Sequence, residues 1–154
     1  MLAVRNNNRE VCQVLLELGG ADPNIGGYTP LFIAAEAGHK GIVKLLLERR
    51  GAKLGSSNKH GQTPLMMAVR GQEGIVKLLE RKGIKLGSSD EDGRILRRKA
   101  ASNGHESIVK LFLERKKVSP NPCDWEGDTP LSLATGINHK GIVKLLQERL
   151  SGDS

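Results

Sequence analysis

The chain has 154 residues, of which 38% are hydrophobic but only 3% aromatic, and it carries a net charge of +7. That length suits a single domain, and the scarcity of rings leaves Leu, Ile, Val and Ala to build the core. No apolar run reaches the roughly 20 residues of a membrane span, residues 1–6 contain no signal-peptide core, and Cys12 and Cys123 have no second Cys or His at metal spacing, which argues against a disulfide framework or a zinc site and for a reducing, intracellular compartment, cytoplasmic or nuclear.

In chain order, the first clear element opens at Thr29. Thr29 precedes Pro30, a cap residue followed by proline at the first helical position. Leu31, Ala34 and Ala35 predict a short helix whose small residues permit a close neighbour, and Gly38 ends it in a left-handed conformation. Ile42, Leu45 and Leu46 follow at i, i+3, i+4, with Val43 and Leu47 widening the stripe. A face that wide needs cover on two sides. Gly51 closes this second helix, and residues 52–62 read as an extended finger with Asn58-Lys59-His60-Gly61 as its turn.

The pattern then returns. Thr-Pro-Leu recurs at Thr63 and Thr129, 34 and then 66 residues on. The string Gly41-Ile42-Val43-Lys44-Leu45-Leu46 is matched at Gly74, Ser107 and Gly141. Two motifs locked to one period mean one unit copied along the chain, which predicts a stacked solenoid. The copy opening near Ile95 departs most. Counted from its second helix, Arg97 and Lys99 fall in the slots of Leu31 and Ile33, and burying two unpaired cations costs on the order of several kcal/mol each. A weak or distorted first helix is expected there, with a one-residue shift placing Leu96 in the apolar slot. Either this is drift in one copy, or Arg94, Arg97, Arg98 and Lys99 form a basic anchor for an acidic partner. Arg50 and one of Lys116 and Lys117 read as insertions.

Thr-Pro-Leu at the head of a short helix, Gly-His between helices, Ile-Val-Lys-Leu-Leu in the second helix and Gly20-Ala21-Asp22-Pro23-Asn24 after it resemble ankyrin repeats over essentially the whole chain. The resemblance implies an all-α solenoid of stacked antiparallel helix pairs with projecting β-hairpin-like fingers. It forms a single domain over 1–154 with units at 1–28 (partial), 29–62, 63–94, 95–128 and 129–154. In the first unit the equivalents of Thr29, Pro30 and Leu31 fall before Met1, as in a piece of a longer array or a chain with a minimal cap. In the last, Gln147 takes the slot of Leu47, as a polar outer face requires.

The resemblance also implies function. His39, His105 and His139 recur at one position and are expected to be hydrogen-bonders between neighbouring loops. Partners of such arrays meet the finger tips and the exposed side of the first helices, which form a concave face. Carried over by position, those sites hold Tyr28 and Glu36, then Lys59, His60, Gln62 and Arg70, then Glu91, Asp92, Arg94, Arg98, Ser102 and Asn103, and finally Trp125, Glu126 and Asp128. They differ from unit to unit while the framework repeats. Trp125 either anchors a partner or folds back over the last unit.

No catalytic residue, metal ligand set or cofactor site emerges. Gly71-Gln72-Glu73-Gly74 lacks the lysine and strand of a phosphate loop. Ser56-Ser57 and Ser88-Ser89 recur as structure, and Asp90-Glu91-Asp92 reads as acidic charge on a finger. Lys44, Lys77, Lys110 and Lys144 form a row that reads as a solvated helix face, and the absence of a groove-entering motif or interleaved aromatics argues against nucleic acid. The expected function is non-catalytic protein–protein recognition. The alternatives are a structural or regulatory scaffold within a multidomain signalling protein, and a basic binder of nucleic acid or acidic surfaces. The expected oligomeric state is a monomer or weak end-to-end self-association.

Overall fold

The computed structural model describes all residues except 19, 23, 25–27, 50–51, 86–90, 116–118 and 153–154. Arg50, Gly51, Ser88, Ser89, Asp90, Lys116 and Lys117 therefore lie outside the described residues, as do Pro23, Ile25, Gly26 and Gly27. Every regular element among the described residues is an α-helix. The chain divides into two compact units, Met1–Ala68 with Gln72–Ile84, and Val69–Gly71 with Lys85–Ser154.

The first unit holds α1 (Leu2–Arg5), α2 (Arg9–Glu17), α3 (Pro30–Glu36), α4 (Lys40–Leu47), α5 (Pro64–Ala68) and α6 (Glu73–Arg81). They pack in two rows, α1 on α3 on α5, and α2 on α4 on α6, with each odd helix also against the even helix that follows it. The second unit repeats the arrangement with α7 (Glu91–Ser102), α8 (Glu106–Leu113), α9 (Pro130–Gly136) and α10 (Lys140–Ser151), α7 on α9 and α8 on α10.

The sequence specifies these helices at both ends. Thr29 Oγ1 accepts the Phe32 amide at 3.2 Å ahead of Pro30, and Thr63 Oγ1 accepts that of Met66 at 3.2 Å. At Thr129 the cap is reciprocal: its hydroxyl accepts the Ser132 amide at 3.1 Å and Ser132 Oγ accepts the Thr129 amide at 2.9 Å, so two of the helix's orphan donors are satisfied at once. The turn between paired helices needs one residue with positive φ. Glycine supplies it at Gly38, Gly71 and Gly104, and asparagine at Asn7 and Asn138, the side chain that best tolerates that conformation. Between the rows the core is aliphatic and tight: Ala34, Ala35, Ile42, Val43, Ala68 and Val76 in the first unit, and Ala100, Ala101, Ile108, Ala134 and Ile142 in the second, are fully buried.

At two of the turns the residue that follows ties one pair to the pair before it. His39 Nε2 lies 3.2 Å from the carbonyl oxygen of Arg5, and His139 Nε2 lies 3.2 Å from that of Ser102, as the resemblance implied. Side chains at this position also cover the preceding turn, Gln72 over Gly38, His105 over Gly71 and His139 over Gly104. A Cβ at Gly104 would stand 2.9 Å from His139 Cε1, on a backbone at φ +76°. Gly104→Ala is therefore expected to cost about 1–2 kcal/mol through strain and displacement of the imidazole. Urea denaturation monitored by circular dichroism measures it.

The irregular copy corrects the sequence-based expectation. Its first helix, α7, is the long regular span Glu91–Ser102, not a distorted one. Without a proline to fix its first turn, the helix extends upstream to Glu91 and Asp92, whose charges favour a helix N-terminus. Glu91 also pairs with Arg94 at 2.5 Å, so both acids are helical rather than on a finger. The amide of His105 donates to Ala100 O as that of His39 donates to Ala34 O. The register is thus unshifted, and Arg97 occupies the Leu31 slot at 4% exposure, with Leu96 buried beside it. The expected penalty presumed an unpaired cation; Arg97 has an interaction partner in the structure. Lys99 is half-buried.

Candidate recognition surface

Two finger tips share one five-residue design. In the first unit the Asn58 amide donates to Gln62 O at 2.9 Å, while Asn58 Oδ1 accepts the amides of His60 and Gln62 at 2.9 and 3.0 Å. In the second unit the Asp124 amide donates to Asp128 O at 3.0 Å, and Asp124 Oδ1 accepts those of Glu126 and Asp128 at 2.9 and 2.8 Å. The fourth residue is glycine in both, Gly61 at φ +71° and Gly127 at φ +86°. Each tip is thus closed by one side-chain oxygen acting in place of backbone. No strand flanks them among the described residues, so the hairpin character of the fingers is confined to these turns.

The design exposes its second and third residues: Lys59 and His60 in one tip, Trp125 and Glu126 in the other. Trp125 is 88% exposed, which rules out its folding back over the last helix pair. Gln62 is half-buried and its Oε1 accepts from Asn58 Nδ2 at 2.9 Å, so it belongs to the frame of its tip. Asp128 does likewise, its Oδ1 accepting from Ser132 Oγ at 3.4 Å.

Arg98 is also drawn into the frame. It was expected to meet a partner, but its Nη1 lies 2.5 Å from Asp124 Oδ2, and the Asp124 side chain is 4% exposed. The first helix of this pair is thereby clamped to the finger turn. Carboxylate oxygens of Asp124, Glu126 and Asp128 lie within 4.8 Å of one another, which makes the surroundings of the indole acidic on a chain that is basic overall. Ser102 is half-buried; its hydroxyl donates to Lys99 O and its carbonyl takes the His139 contact. Asn103 is exposed and donates to Lys99 O at 2.7 Å. Arg70, Glu91 and Asp92 are exposed, and Arg94 is half-exposed in its pair with Glu91.

Tyr28 and Glu36 come together. With Arg5, Ile33 and Ala37 they line a shallow cleft of about 280 Å³, and the Tyr28 ring stands edge-on to Phe32 at a centroid distance of 5.3 Å. Nothing in the sequence had joined Arg5 to this group, because Arg5 sits in the first unit, where the matching motif is incomplete. Asp124 was missed as well, and Asn58 was read only as part of a turn; the signal was available in the shared pattern of Asn or Asp with glycine three residues later.

The lysine row is exposed at Lys44, Lys77, Lys110 and Lys144. Lys77 pairs with Glu73 and Lys144 with Glu148, both one helical turn away, the arrangement of a solvated face. Cys12 is buried, and burial pushes its thiol pKa up; Cys123 is exposed. No helix among the described residues is long and apolar enough to cross a membrane.

Comparison with known proteins agrees with this geometry. The family described as ankyrin repeats in three copies matches residues 1–90 and 82–153. Human 2-5A-dependent ribonuclease is 43% identical over 70 residues, a stretch that makes up 43% of this chain and 9% of the ribonuclease. The chain therefore corresponds to a small fraction of that relative.

Proposed function

The chain belongs to the ankyrin-repeat family, and we propose that it is a non-catalytic recognition module that binds another protein through its finger tips and the exposed sides of its first helices. Ankyrin repeats are in general protein–protein interaction modules. The observation that carries the finer reading is the contrast at the two tips. An identical hydrogen-bonded frame holds Lys59-His60 in one and Trp125-Glu126 in the other. A constant frame with changed tip residues separates stability from specificity. Holding the tip in place before contact also lowers the ordering cost of binding.

Trp125 is the anchor in this proposal, since a solvated indole on a fixed turn is the side-chain type most enriched at binding hot spots. Tyr28, with Glu36 and Arg5 around its cleft, is the second contact. Arg70 after α5, and Glu91, Asp92, Arg94 and Asn103 on and just after α7, add peripheral charge and polarity. Two free thiols support a reducing compartment, cytoplasm or nucleus, as its place. Trp125→Ala should abolish capture of the partner from a lysate, read by mass spectrometry beside the unchanged chain, with helical circular dichroism intact. An identical set of captured proteins would remove Trp125 from the anchor role.

A second reading has its own support. The matched stretch is 9% of the human ribonuclease, so units of this kind occur within a much larger polypeptide. A scaffold or regulatory segment of a multidomain protein would use the same tips toward a neighbouring domain.

A further inference from the structure

The Trp125 ring stands in solvent on a turn that is already closed, and the ring pair found among the described residues, Tyr28 with Phe32, lies elsewhere. Both faces of the indole are therefore open to a partner. The charge around it is unlike that of the rest of the chain. Against a net charge of +7, this one turn carries Asp124, Glu126 and Asp128, with carboxylate oxygens within 4.8 Å of one another. Arg98 balances Asp124. Neither Glu126 nor Asp128 has an ion-pair partner among the described residues. The one side-chain bond of Asp128 is to the neutral Ser132 hydroxyl. Two carboxylate charges thus remain beside the indole without a cation.

We propose that this tip takes an arginine of the partner protein, its guanidinium laid on the indole and hydrogen-bonded to Glu126 and Asp128. The inference rests on Trp125 as the anchor and adds the chemistry of what it anchors. The indole supplies the contact surface, and the charge beside it decides the occupant. A nucleic acid, an acidic membrane or a glutamate-rich segment would set like charge against the two carboxylates, an arrangement that rejects a partner. A cation gains twice, from the negative face of the ring and from the carboxylates. Arginine surpasses lysine there. Its planar guanidinium stacks on an aromatic face and offers its donors as a fork, whereas an ammonium is a compact, strongly hydrated point charge. A metal ion fits less well. Asp124 Oδ1 is engaged by the amides of Glu126 and Asp128, and Oδ2 by Arg98. That leaves two carboxylates, where calcium takes roughly six to eight oxygens. The hydrogen-bonded frame holds the indole and both carboxylates on one short turn before contact, which lowers the ordering cost of capturing the guanidinium.

The chain has one tryptophan, so its emission reads the tip directly. The probes are three blocked pentapeptides of glycine alternating with arginine, lysine or glutamate, each titrated to ~20 mM. The arginine peptide should change the emission saturably. The lysine peptide should bind at least ~3-fold more weakly, and the glutamate peptide should not bind. Glu126→Gln combined with Asp128→Asn should weaken the arginine peptide about tenfold with circular dichroism unchanged, because both substitutes keep a side-chain oxygen and the frame uses the Asp124 side chain. No saturation with the arginine peptide overturns the proposal. So does equal binding of any two peptides, or a double variant that binds as tightly as the parent. Calcium chloride that saturates the emission at ~1 mM and displaces the arginine peptide assigns the tip to a metal instead. The anchor itself is tested separately. If Trp125→Ala loses the lysate partner while the peptides show no preference for arginine, the anchor stands and the arginine does not. If capture survives Trp125→Ala, the anchor falls and this inference falls with it.

Discussion

Leu45→Ala is expected to lower the free energy of unfolding by about 2–5 kcal/mol. Leu45 is buried on α4, which has α2 on one side and α6 on the other within the same unit. Truncation there removes packing between neighbouring copies and leaves a void that short helices on either side can collapse into only by moving their own caps. Stability in a repeat array is carried by contacts between adjacent copies, so a residue between two copies costs more than the same residue at an edge. Leu145 provides the comparison. It holds the same slot on α10 but is half-buried, and Leu145→Ala should cost less than Leu45→Ala by at least about 1 kcal/mol. Denaturant titrations of both variants, at constant m, decide the matter. A Leu45→Ala loss under about 1 kcal/mol would show that this helix is not flanked on two sides.

The regular part of this architecture was legible because each unit repeats its own punctuation. Thr-Pro starts three helices for local reasons, and glycine or asparagine turns the chain at five places for local reasons, so the copies reinforce one another. Position-by-position transfer failed where the residue type in a slot changed. At α7 the loss of Thr and Pro looked like damage. In the structure it removes a stop, and the helix gains a turn at its acidic start. Arg98 was assigned to a partner as part of the exposed side of a first helix, although Phe32 and Met66 in its slot are buried. Its reach to Asp124 depends on a finger residue 26 positions later, and no periodicity reports such a pairing. The same holds for Arg5 in the Tyr28 cleft. Contacts that repeat are visible in a single sequence, and contacts made once are not.

Asp124→Ala should therefore do what its slot alone would not suggest. It removes the oxygen that closes the turn under Trp125, strands two amides, and leaves Arg98 without its carboxylate. Breaking a buried ion pair by deleting one partner costs about 3–5 kcal/mol. Arg98 retains some exposure, so a smaller loss of about 2–3 kcal/mol is expected. Asp124→Asn separates the two roles. Asparagine already closes the other tip at Asn58, so it should hold the turn, lose only the charge on Arg98, and cost about 1 kcal/mol or less. Trp125 is the chain's only tryptophan, and its emission anisotropy reports the tip directly. Anisotropy should fall in the alanine variant and persist in the asparagine variant. If the two variants lose equal stability and equal order, the ion pair rather than the side-chain acceptor fixes the tip. If instead partner binding survives Asp124→Ala unweakened while anisotropy collapses, prior rigidity of the indole is not what the partner reads.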